Sequence, residues 1–206
     1  SFYMKTVSKY KIAKRLGASV FEKTQSQKFA LAAERSEKNK KRGRRGATEY
    51  GKQLLEKQKV RFTYGISEKQ FSNYVKESIA TKGQVPAETL NGLLELRLDN
   101  VVYRIGLAPT RRAGRQMVSH GHITINGVKT TIPSRRMRVG DTIAVREGSK
   151  AANLFAGFEE RFADRTLPSW LSWNPKSMEG GIASAPVAAA IDPAGDLVAV
   201  LSFYSR

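Results

Sequence analysis

The chain has 206 residues, 40% of them hydrophobic, and sets 36 Lys and Arg against 18 Asp and Glu for a net charge of +18. Such an excess points to a polyanion partner, while the apolar fraction suffices for one large or two smaller buried cores and argues against a disordered basic tail. The absence of cysteine excludes disulfides, thiolate metal sites and thiol nucleophiles, no run approaches the roughly 20 apolar residues of a membrane span, and the opening residues lack the apolar stretch of a secretory signal, so the cytoplasm is expected.

The charge is concentrated: net +13 over residues 1–64, −1 over 65–96, +8 over 97–150 and −2 over 151–206. A solubility device would scatter both signs, whereas neutralising phosphates at two places concentrates cations in this way. Residues 38–45, KNKKRGRR, have no apolar side chain to bury. They are expected to be extended and ordered by RNA, which makes Lys40, Lys41, Arg42, Arg44 and Arg45 candidate contacts. Thr48 is expected to cap a helix to about Tyr64, with Tyr50, Leu54, Leu55 and Phe62 packed and Lys52, Lys57, Lys59 and Arg61 available to RNA.

Ser67 and Gln70 have capping-box spacing, and Phe71, Tyr74, Val75 and Ile79 follow at helical intervals. Pro86 suits the first turn of a further helix with Leu90, Leu93 and Leu94 buried. The stretch 65–96 is nearly neutral and is assigned to packing. In 95–106, Leu98, Val101, Val102 and Ile105 repeat at three and four, leaving Arg97, Asn100 and Arg104 for another face. Pro109 ends this helix and Thr110 caps the next. There Arg111 and Arg115 are neighbours on one face, with Arg112 and Gln116 beside them, and their guanidinium forks match phosphate geometry.

Asn126-Gly127, the turn of a twisted hairpin, separates strands at 122–125 and 128–131 that carry His122 and Lys129. Arg135, Arg136 and Arg138 form a basic connection to a strand in which Ile143 and Val145 face inward. Beyond 150, Phe155, Phe158 and Phe162 near helical spacing, with Trp170 and Trp173, require a packing surface. Residues 180–194 read as irregular surface chain, and 197–204 as a last apolar strand or anchor. The fold class is α+β: a mostly helical domain over 1–95, a helix-helix-hairpin-strand module over 96–150, and a C-terminal segment over 151–206.

The aspartates show no spacing for acid/base or metal chemistry, and no phosphate-cradling glycine loop is present. His120 and His122, the only histidines, do not make a closed metal site by themselves and are assigned to a turn beside phosphate. No catalytic centre, cofactor or metal is expected.

Taken together, residues 50–65 (YGKQLLEKQKVRFTYG), 68–71 (EKQF) and 95–106 (ELRLDNVVYRIG), with Arg115-Gln116, His120-Gly-His122, Asn126-Gly127, Ile132-Pro-Ser134, Gly140-Asp141 and the terminal FYSR, resemble the family of ribosomal small-subunit protein four. The resemblance covers nearly the whole chain, loosely over 17–35. It implies a structural protein that binds the five-prime domain of small-subunit ribosomal RNA, nucleates assembly of the subunit body and contacts neighbouring ribosomal proteins. It also implies roles in translational accuracy and at the mRNA entrance, in a cytoplasmic or organellar ribosome.

By the same resemblance, 96–150 is the RNA-binding domain and 151–206 packs back on the helical domain. Many relatives carry an N-terminal cysteine cluster that holds zinc or an iron–sulfur cluster, which this chain lacks. Arg112 and Gly114 depart from the residues expected in the second helix of the module. Two other classes compete: a non-ribosomal regulatory RNA-binding factor, and an RNA-modifying enzyme with a similar module, for whose catalytic domain the flanks are too short.

Overall fold

The computed structural model describes residues 8–17, 20–21, 24–40, 48–163, 166–187 and 195–205. The chain divides into two compact units, 1–75 with 193–206 and 76–192. The fold is α+β.

In the first unit, α1 (Lys9–Leu16), α2 (Gln27–Lys40), α3 (Glu49–Tyr64), the start of α4 (Glu68–Ala80) and α10 (Leu197–Tyr204) supply the framework. Local chemistry sets the helix ends as the sequence implies: the Gly51 N–H donates to Thr48 Oγ1 at 3.2 Å, and the Gln70 N–H to Ser67 Oγ at 3.3 Å. Two expectations for this unit are corrected. Residues 38–40 continue α2 instead of being extended, while 41–45 lie outside the described residues. In α3 the buried stripe is Gln53, Lys57, Val60 and Tyr64, whereas Tyr50 is 50% exposed and Leu54, Leu55 and Phe62 are half-buried.

That stripe is explained by α10, which packs on α3. Residues 197–204 are helical, not a strand, because Asp196 caps them: its Oδ1 accepts from the Val198 and Ala199 N–H groups at 2.9 and 3.1 Å. The Lys57 ammonium lies 4.7 Å from the Phe203 ring centre and 2.7 Å from Glu68 Oε1, and the same oxygen accepts from the Tyr204 hydroxyl at 2.7 Å. The apolar stem of a lysine and its paired head can be buried together at such a place.

In the second unit, α5 (Pro86–Glu95), α6 (Leu98–Ile105) and α7 (Arg111–Ser119) lead into a five-stranded antiparallel sheet of order β2-β1-β3-β5-β4. The strands are β1 (Ile123–Ile125), β2 (Val128–Thr130), β3 (Thr142–Val145), β4 (Leu171–Asn174) and β5 (Glu179–Ile182). The hairpin turn is as expected: Asn126 and Gly127 take φ of 50° and 78°, pairing Ile125 with Val128. Leu98, Val101, Val102 and Ile105 of α6 are completely buried in one core with Val118, Ile123, Ile143 and Val145. Ile79, expected in the core, is 50% exposed.

Gly114, the unexpected residue of α7, has a packing role. A Cβ there would stand 2.7 Å from the Asp99 carbonyl oxygen, so only glycine lets α6 and α7 approach this closely.

The chain beyond 150 divides its loyalties, which corrects the reading of 151–206 as one segment returning to the helical domain. Residues 197–204 pack on α3, but Phe155, Phe158, Trp170, Leu171, Trp173 and Ile182 join the core of the second unit. β5 pairs with β3 through Thr142–Gly181, Ile143–Gly180 and Ala144–Glu179, so 180–182 are strand and not irregular chain. The physical cause is the outer edge of β3, whose N–H and C=O groups would otherwise lack a ladder partner. Short helices at Glu147–Lys150 (α8) and Phe158–Ala163 (α9) connect β3 to β4.

Candidate nucleic-acid interface

The cations of 97–150 fall into two sets, one held inside the fold and one turned outward. The inner set is organised by two buried carboxylates. Asp99, 2% exposed, accepts from Arg97 at 2.8 and 3.0 Å and from Arg115 at 2.9 and 3.0 Å. Glu95, fully buried, accepts from the Arg104 Nε and Nη2 at 2.9 Å each and from Asn100 Nδ2 at 2.9 Å. Asn100 Oδ1 in turn accepts from Arg111 Nε at 2.7 Å, and the Arg111 guanidinium lies 4.5 Å from the Tyr103 ring centre.

Burial overturns two of the assignments. Arg97 and Asn100 are 3% and 1% exposed, so they do not line an outer face of α6; Arg97 precedes α6, and the 133–137 connection is held by backbone hydrogen bonds of Leu96, Leu98 and Asp99 and by a bridge between Arg97 and Arg136. Arg111 and Arg115 are neighbours, but their partners are Asn100 and Asp99 on α6. Arg136 pairs at 2.7 Å with Glu77, both side chains being exposed. A charge buried with its partner is costly to strip, so the network around Asp99 and Glu95 is first a structural device.

In α3 the same correction applies to Lys57. Lys57 is buried, Lys59 pairs with Glu56 at 2.6 Å, and Arg61 lies 3.4 Å from Glu68. Burial alone would raise the Glu68 pKa, but hydrogen bonds from Lys57 and Tyr204 and the charges of Lys57 and Arg61 win and hold it below its ordinary value. Tyr204 is raised, first by burial and then by Glu68. Lys52 is exposed and only loosely paired with Glu49 at 3.6 Å. Lys40 ends α2, and Lys41, Arg42, Arg44 and Arg45 lie outside the described residues.

The outer set is compact in the fold. Arg112, Gln116 and His120 are all exposed and succeed one another at intervals of four, forming one stripe along α7. Lys129, exposed on β2, lays its side chain across Gly121, just beyond that stripe. Arg135 and Arg138, both exposed, flank Asp141 beside the hairpin turn. Burial raises the Asp141 pKa, but hydrogen bonds from Asn126 and the Arg138 N–H, with the charges of Arg135 and Arg138, leave it below the ordinary value. Among the described residues, no hydrogen bond or ion pair engages the side chains of Arg112, Lys129, Arg135 or Arg138.

The sequence reading missed Arg146. Its N–H donates to the His122 carbonyl at 2.8 Å across the end of the β1–β3 ladder, and Ser149 Oγ lies 3.0 Å from His122 Nδ1 and 3.5 Å from Arg146 Nε. The hairpin register, extended to the next strand, carries the signal that would have found it. No cluster of three or more metal-ligating side chains occurs among the described residues. A cleft of about 480 Å³ at the other end of α6 is lined chiefly by Leu107, Pro109, Leu154, Phe158 and Phe162, with Arg161 and Asn153 its polar side chains.

A helix pair packed on a hairpin-led sheet, with cations turned out along α7 and the hairpin, defines a protein of the S4-domain class: residues 96–143 match the model of the S4 domain, and 5–95 that of the ribosomal protein S4/S9 N-terminal domain. The chain is 46% identical over 164 residues to the small ribosomal subunit protein uS4 of Desulforamulus reducens, covering 80% of this chain and 78% of that one. It is 41% identical over 198 residues to uS4 of Roseiflexus castenholzii (95% and 96% covered) and 39% identical over 204 residues to that of Borrelia turicatae (98% of each). The chain belongs to the small ribosomal subunit protein uS4 family.

Proposed function

We propose that the protein is a structural, non-enzymatic constituent of the small ribosomal subunit that binds small-subunit ribosomal RNA. The observation that carries the RNA-binding surface is the outer set: Arg112, Gln116 and His120 along α7, with Lys129, Arg135 and Arg138 around the hairpin. These side chains are exposed along a short helix, a hairpin strand and the connection that follows it, an arrangement that reads backbone and shape better than base sequence. Family membership extends the reading to the five-prime domain of the RNA, to nucleation of the subunit body, to neighbouring ribosomal proteins, and to roles in accuracy and at the mRNA entrance in a cytoplasmic ribosome. Lys52 and the cations at 40–45 are assigned to RNA on the charge of their segment.

The test is binding of the full chain to small-subunit ribosomal RNA across a salt series. If roughly 6 to 10 phosphates are neutralised, affinity falls by orders of magnitude between 50 and 200 mM salt. A flat titration, or equal competition by short unstructured oligonucleotides, overturns the reading.

A further inference from the structure

Two imidazoles on the outer surface share their surroundings with an arginine, a lysine and a buried hydroxyl, an arrangement that packing does not require. His120 closes α7 and is exposed; His122 opens β1 and is half-buried. Their ring centres are 6.1 Å apart. Arg146 stands opposite His122 at the end of the ladder, held by its backbone N–H. Ser149, 3% exposed, fixes the inner side of the His122 ring from α8, and the edge of the Phe155 ring approaches it at 6.3 Å between centres. The Lys129 side chain crosses Gly121, the residue between the two histidines. The remaining charges of α8, Glu147 and Lys150, pair with each other at 2.8 Å, and the Glu147 side chain is 88% exposed.

Resting on the RNA-binding reading above, we propose that His120, His122 and Arg146, flanked by Lys129, form a phosphodiester subsite that takes up a proton when RNA occupies it. The chemistry follows from the groups present. Arg146 and Lys129 bring fixed positive charge, and the imidazoles are donors whose charge depends on what faces them. In the free protein, burial and then the charges of His120 and Arg146 lower the His122 pKa, so the ring is held neutral. A phosphate seated among these side chains reverses the electrostatic balance and favours the imidazolium.

The sign follows by linkage. A group whose pKa rises on binding takes up a proton, so RNA affinity increases as pH falls through the interval between its free and bound values. Folding responds in the opposite sense. With its pKa below the unfolded value, His122 contributes stability that is lost as pH falls, so tighter binding in acid does not arise from a firmer fold.

The experiment measures affinity of the full chain for small-subunit ribosomal RNA at fixed salt from pH 8 to pH 6, for the wild type, His120→Gln, His122→Asn and the double variant. Asn at 122 retains a polar atom near the position of Nδ1 toward Ser149. Wild-type affinity is expected to rise about five- to tenfold over the interval, since one unit of pKa shift is worth a factor of ten. The double variant should change less than about twofold over the same interval, whatever its affinity at pH 8. NMR titration of the labelled imidazole Hε1 signals should show the His122 pKa moving up when RNA is bound. Equal pH profiles for wild type and double variant, or an unmoved His122 titration in the complex, overturn the proposal and leave RNA binding standing. Absence of wild-type binding at every pH overturns both.

Discussion

Asp99 receives two arginines, and that one fact changes what Arg115 does. Spacing alone makes Arg111 and Arg115 neighbours on α7 and gives them to phosphate, because an i,i+4 rule sees only its own helix. Their partners lie on α6, at Asn100 and Asp99, and no local pattern announces a carboxylate sixteen residues away. Arg112, beside them on the helix, is exposed. Stripping a buried ion of its only partner costs about 3–5 kcal/mol. Asp99 would keep Arg97 and Arg115 is 34% exposed, so Arg111→Ala with Arg115→Ala is expected to cost about 1–3 kcal/mol. Melting curves should show a loss of several degrees for the double variant, and for Arg112→Ala a change within about 0.5 kcal/mol. An unmoved melting temperature in the double variant would return both arginines to the RNA-facing set.

At the scale of elements, the sequence is legible where one local signal dominates. Thr48, Ser67 and Thr110 cap helices by side-chain hydrogen bonds, and Asn126-Gly127 closes the hairpin. It is illegible where the chain is apolar all round or where the decisive partner is distant. Residues 197–204 have no periodicity to separate helix from strand, and only the Asp196 cap decides. Trp173 and Ile182 have no obvious surface until β5 completes the edge of β3. Gly114 lies between these cases, since it reads as a helix weakness while its place is fixed by the Asp99 carbonyl. Gly114→Ala would gain up to about 1 kcal/mol of helix propensity but force α7 off α6, an overpacking cost of about 1–3 kcal/mol. We expect net destabilisation, seen as a lower denaturation midpoint with an unchanged slope. A stabilised variant would mean that the two helices separate without loss.

For the whole molecule, net charge overstates the surface offered to RNA. The block 97–150 carries +8, yet Arg97, Arg104, Arg111, Arg115 and Arg136 are tied to Asp99, Glu95, Asn100 and Glu77. Charge counting locates the module correctly because these pairs still leave cations in excess; it does not say which ones face outward. The exposed Arg112, Arg135 and Arg138 lack hydrogen-bond and ion-pair partners among the described residues, so they can be removed without stranding a carboxylate. Replacing all three by Gln should lower the slope of log affinity against log salt by about 2–3, at roughly 0.7 to 0.9 for each phosphate no longer neutralised, and leave the melting temperature nearly unchanged. The contrasting variant is Arg97→Gln with Arg104→Gln, which keeps the outer surface but takes one guanidinium partner from each of the buried carboxylates Asp99 and Glu95, and it should fail first in the melting curve. An unaltered salt slope in the triple variant, with its fold intact, would remove α7 and the hairpin from the RNA interface and move the binding to the basic segment before α3.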